Sequence, residues 1–147
     1  MSVEPQRVVD LLRASARELV ESLGGTGCAI SRAIGDLLVL VAEHTVDDRT
    51  LQLGQGYLIS DYPATEAVLA SGTPMSLSLA DPDVDPAEAA LLREYGFDSL
   101  LMLPLALHGK VWGLVEVYRD SGRPFAAEEV DAAVRIAART AESLQGL

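Results

Sequence analysis

Ser99-Leu100-Leu101-Met102-Leu103-Pro104-Leu105-Ala106-Leu107, then His108-Gly109, then Val111-Trp112-Gly113-Leu114-Val115-Glu116-Val117-Tyr118 is the most apolar part of the 147-residue chain. Two long apolar runs joined by a two-residue turn with glycine predict a β-hairpin, and the few polar positions predict one covered on both faces. Along the second run Val111, Gly113, Val115 and Val117 alternate with Trp112, Leu114, Glu116 and Tyr118. A strand would send the first set to one face and the second, mixing aromatic and polar groups, to the other.

The hairpin needs cover, and the flanking sequence supplies it. From Pro5 to Leu23, Val9, Leu12, Ala16, Leu19 and Leu23 recur at intervals of three and four, which predicts an amphipathic helix within residues 1–23, closed by Gly24 and Gly25. Val130, Val134, Ala137, Ala141 and Leu144 repeat the spacing in a last helix over 127–144, with Phe125 and Val130 placed as a hydrophobic staple and Glu129 at the third helical position. Cys28 to Ala33 and Leu37 to Ala42 read as antiparallel strands. Thr45 to Ser60 reads as an irregular loop with one short strand near Tyr57 to Ile59. Pro63 to Ala70 reads as a short helix and Met75 to Leu79 as a strand. Pro86 to Tyr95 is a second short helix, with Asp85 at its cap and Glu88 three residues on, closed by Gly96. The order, without internal repeat or linker, predicts one α+β domain over 1–147: an antiparallel sheet with terminal helices on one face and short helices over a cavity on the other.

Composition narrows the function. A formal net charge of -11 with the arginines spread from Arg7 to Arg139 disfavours nucleic acid and anionic lipid as partners. No run approaches the length that crosses a bilayer, and a single cysteine, Cys28, allows no intrachain disulfide; a cytoplasmic protein is expected. Asp81, Asp83 and Asp85 have the spacing of half a calcium loop, but Pro86 and Leu92 stand where glycine and glutamate are required. Cys28 lies in an apolar strand without a basic neighbour, and His44 and His108 fall at a strand end and a turn. No Gly-rich phosphate loop and no serine nucleophile elbow are present, and no paired carboxylates have a His nearby. The expectation is therefore no enzyme, no metal and no cofactor.

The blocks Ser99 to Leu105, Gly109 to Tyr118 and Arg123-Pro124-Phe125-Ala126-Ala127-Glu128-Glu129-Val130 resemble, in order and spacing, those of a GAF domain. The resemblance covers nearly the whole chain and extends to Asp61-Tyr62-Pro63-Ala64-Thr65 and the Asp81 to Pro86 run. Ala126 departs from the Ser or Thr usual at that helix cap. A PAS domain is the nearest rival, but the terminal helices and the proline-leucine strand favour GAF.

The resemblance implies a sensory or regulatory module that binds a small molecule; with no output domain expected in this chain, the signal goes either to a separate signalling protein or to the rest of a longer regulator. A mixed aromatic and polar face under short helices has the makeup of a ligand site, so Trp112, Glu116 and Tyr118, with Tyr57, Asp61, Tyr62 and Thr65 above them, are the candidate ligand-binding residues. The plainer reading makes Trp112 and Tyr118 core aromatics and sends Glu116 to an arginine or to solvent. The terminal helices, through their apolar seams, also suggest a homodimer. The alternative to a sensor is a ligand-free GAF-like scaffold for dimerisation or protein contact.

Overall fold

The structure, a computed structural model, describes residues 4–51 and 53–147; positions 1–3 of the first expected helix and Gln52 of the loop lie outside the described residues. The three-four stripe winds into α1 (Glu4–Leu23), with Leu12, Ala16, Leu19 and Leu23 buried along one side. β1 (Gly27–Ile34), β2 (Leu37–Thr45) and β3 (Gly56–Leu58) follow. A 3-10 turn (Ile59–Asp61) leads to α2 (Pro63–Ser71), β4 (Met75–Ser78) and α3 (Pro86–Tyr95). The predicted hairpin is β5 (Ser99–Leu107) and β6 (Lys110–Arg119), and α4 (Ala127–Gln145) closes the chain. Every strand pairing is antiparallel, in the order β3-β2-β1-β6-β5-β4, so β1 and β6 occupy the middle. At the hairpin turn His108 and Gly109 both take positive φ, 52° and 75°. That pair of conformations matches the twist of the flanking strands.

The sheet separates two apolar cores, as expected. On one face α1 and α4 bury Leu12, Leu19, Ala133 and Ile136 against Leu101, Leu103, Val115 and Val117. The two helices are tied by a buried bond: Thr140 Oγ1 donates to Ile136 O at 2.8 Å, so Ser15 Oγ is the donor in its 2.8 Å contact with Thr140. On the other face Val68 of α2 and Leu92 of α3 meet Leu100, Met102 and Leu114, with Phe97 and Leu51 filling the ends.

Two expectations change. The alternation along β6 breaks, because the register against β5 shifts between Leu105, opposite Gly113, and Ala106, opposite Val111. Trp112 is the extra residue of this bulge. It turns to the helix side of the sheet, with the Arg32 guanidinium 4.8 Å from its ring centroid, and Val111 turns to the α2 side beside Ile59 and Leu69. Gly113 permits the bulge, since a Cβ there would stand 2.0 Å from Ser31 O of β1. The apolar seam of α4 is largely used within the chain: Ala137, Ala141 and Leu144 are buried, and Val134 is 44% exposed. The Thr45 to Ser60 loop is irregular apart from the short strand β3, as expected, and it is anchored. Glu43 of β2 accepts from the backbone of Leu51 at 2.6 Å and Leu53 at 3.2 Å, which turns Leu51 into the core at 1% exposure. Arg49 pairs with Asp47 and Asp120 and donates to Gly96 O at 3.0 Å, fastening the loop to the end of α3.

Candidate functional site

The short helices stand over the sheet because one carboxylate serves both. Asp85 Oδ1 accepts from Ala87 N at 3.1 Å, capping α3, and its Oδ2 accepts from Ala64 N at 3.0 Å in the first turn of α2. Two helix starts, each with exposed N–H groups and a positive dipole end, converge on this negative group. Pro63 and Pro86 open the two helices, where a missing N–H costs nothing.

Beneath them lies a small chamber of about 30 Å³. Its walls are Leu38, Leu40 and Leu51, with Leu91 above, and its polar groups come from β1, β3, α2 and the residue before it, α3 and β6. All four tyrosines of the chain, Tyr57, Tyr62, Tyr95 and Tyr118, line it. Tyr57 and Tyr62 meet edge to face at 5.9 Å, and the Tyr57 and Tyr95 hydroxyls are hydrogen-bonded to each other. Tyr118 stacks on Phe97 at 4.8 Å and donates to Glu116 Oε2 at 3.1 Å. Thr65 donates its hydroxyl to Glu88, a carboxylate only 1% exposed.

Two carboxylates therefore face one small, partly open chamber, and no Lys or Arg lines it. Burial, then the negative charge of Glu88, pushes the Glu116 carboxyl up to about 8. Glu88 is raised too, by burial first and the charge of Asp85 next, against the bond from Thr65. Burial also raises all four phenols, which keeps them as neutral donors.

Of the expected site residues, Glu116, Tyr118, Tyr57, Tyr62 and Thr65 come together at the chamber. Trp112 does not, because the bulge carries it to the other face. Asp61 does not either: it ends the 3-10 turn with its side chain in solvent. As the plainer reading has it, Trp112 and Tyr118 each pack against an apolar core; among the described residues no arginine pairs with Glu116, which is half-buried. Sequence reasoning missed Glu88, read as half of a capping box with Asp85; in the structure its carboxylate points inward to Thr65 instead. Its signal was a glutamate between Ala87 and Ala89, on the buried side of α3 with Leu92. Tyr95, at the last turn of that helix, was missed in the same way. Cys28 lies on the helix face, across the sheet from the chamber, and its thiol is raised by burial and by the charge of Glu116.

A six-stranded antiparallel sheet between paired terminal helices and two short helices, with a small chamber under the latter, is the arrangement the sequence blocks implied. The sequence model of the GAF domain matches residues 7–144. The chain belongs to the GAF domain family. No curated protein sequence matches this GAF domain. Solved structures do, by shape. The PixJ GAF domain of Thermosynechococcus elongatus in its blue-light-absorbing form aligns with a TM-score of 0.84 at 15% identity, over 99% of this chain and 89% of that one. The phycocyanobilin-bound GAF domain of a cyanobacterial phytochrome gives 0.82 at 21% identity, over 95% and 85%. A red/green cyanobacteriochrome in its red-light-absorbing state gives 0.80 at 17%, over 95% and 94%. At these identities the likeness is one of fold. Among the described residues of this GAF domain, no helix is long and apolar enough to cross a membrane.

Proposed function

We propose that this GAF domain is a sensory, regulatory module that binds a small molecule in the chamber under α2 and α3 and does not transform it. The observation that carries the reading is the convergence of four neutral phenols and two carboxylates, with no Lys or Arg among them, on one small chamber. Carboxylates so placed, hydrogen-bonded to hydroxyls but facing no cation, are costly to keep charged. One of the similar folds is a phycocyanobilin-bound GAF domain, which accords with a small-molecule site in a domain of this shape. Occupancy would move α2 and α3 together through Asp85 and carry the change to a separate signalling protein. A homodimer formed by the outer faces of α1 and α4, around Val134, and a cytoplasmic site of action belong to the same proposal.

The chamber's small volume favours a second reading, a ligand-free scaffold for dimerisation or protein contact. Native mass spectrometry of the protein purified from its own host separates the two. A small-molecule mass that remains on the folded chain and is lost on unfolding supports the sensor. A bare chain, dimeric or bound to a protein partner, supports the scaffold.

A further inference from the structure

The chamber has a gradient of exposure that suits one ligand chemistry. Tyr57, Tyr62, Leu91 and Tyr95 are half-buried and form its rim, Thr65 and Glu88 are buried within, and Glu116 on β6 is itself half-buried. Glu116 rises from the centre of the sheet, on the strand flanked by both β1 and β5, and among the described residues the one hydrogen bond to its carboxylate is that from Tyr118. Two acidic groups at the floor and electron-rich ring faces at the rim both attract positive charge. The free volume, about 30 Å³, has room for roughly two water-sized groups. The described residues hold no cluster of three or more metal-ligating side chains, so the donor set does not suit a multivalent metal ion.

We propose that the chamber takes the head of a small primary amine, its ammonium seated between Glu88 and Glu116 and its apolar tail leaving past Tyr57, Tyr62 and Tyr95. The proposal rests on the ligand-binding reading above and names the class of ligand. An ammonium supplies three donors and a charge that the site's own residues do not. The groups facing Glu116 are Glu88 and Tyr95 from α3, Tyr57 from β3, Tyr62 ahead of α2 and Tyr118 from its own strand, all neutral or negative. Cys28 lies behind it across the sheet. A proton therefore occupies the floor when no cation does, and a bound ammonium displaces it.

The test titrates the folded chain with n-butylamine, 1-butanol and butyrate at constant ionic strength, followed by calorimetry and NMR. An alkylamine stays protonated below pH 9, as lysine does. Release of a proton held at about 8 makes amine affinity rise roughly 30-fold from pH 6.5 to pH 9. Butanol and butyrate bind at least ~10-fold more weakly, as expected of a charge-assisted contact. Glu116→Gln, equal in size, abolishes the pH dependence and weakens the amine. Butanol or butyrate binding as tightly as the amine, or an amine affinity that ignores pH, overturns the amine assignment and leaves the sensor reading standing. Failure of all three probes to bind overturns it as well. A bare chain from the native host removes the sensor reading itself.

Discussion

Glu116 holds its proton at a pH where a free carboxyl has lost it, and the consequence is a stability that falls as pH rises. Its ordinary value is 4.5 and its folded value about 8. Below 4.5 both the folded and unfolded chains are protonated there and the residue is neutral to folding. Between the two values the unfolded chain has released the proton and the folded chain has not, so folding must take a proton up and stability declines with rising pH. Above 8 the loss is complete, on the order of 3–5 kcal/mol. Glu116→Gln removes the ionisation while keeping an acceptor for Tyr118. Urea unfolding is expected to show the variant more stable than the parent at pH 8.5 and indistinguishable from it at pH 4.5; equal midpoints at both would mean Glu116 is not held protonated. Arg119 is the contrasting buried charge. It donates to Leu23 O at 2.6 Å, pairs with Glu129 and lies over the Phe125 ring at 3.9 Å, so the end of α1 and the start of α4 share one cation. Burial would raise Glu129, but the Ala126 N–H and then Arg119 outweigh it and hold its carboxyl below the usual range.

At the start of α4, Glu129 Oε1 accepts from Ala126 N at 2.8 Å, the half of a capping box that does not need a side chain at the cap. The alanine that departs from the family pattern is thus compensated from inside the helix. Asp85 has no such substitute. Because its two oxygens serve α3 and α2 separately, Asp85→Ala leaves two helix starts short of an acceptor, where an ordinary cap would leave one. Chemical denaturation is expected to register a loss of about 2–3 kcal/mol against the ~1 kcal/mol typical of a single cap. Hydrogen exchange should quicken in the first turns of both helices; quickening confined to α3 would show that the bridge to α2 carries no weight. The same bridge makes the two helices a single cover for the chamber.

One sheet supports both cores, and the aromatic residues divide between them: the only tryptophan, Trp112, faces the terminal helices and all four tyrosines face the chamber. Tryptophan fluorescence and tyrosine absorbance therefore report opposite faces of the molecule. Since β1, β5 and β6 contribute to each core, neither should survive alone, and the two signals should follow a single urea transition. Separated midpoints would show that one layer melts first. Much of this architecture was legible in the chain. The three-four spacing of Leu12, Ala16, Leu19 and Leu23, the turn at His108-Gly109, and Pro86 behind Asp85 set helices, hairpin and cap from neighbours within a few residues, because those signals are local in origin. Glu116, Tyr118, Tyr57, Tyr62 and Thr65 could be gathered because strand parity and family order put them on one side. What the tertiary structure alone decided arose between distant segments. Trp112 left the site because Gly113 packs against Ser31 on another strand, and no local pattern announces that bulge. Glu88 entered it because Thr65, on a different helix, holds its carboxylate inward, and a glutamate's neighbours in sequence do not tell whether it caps, dissolves or is buried.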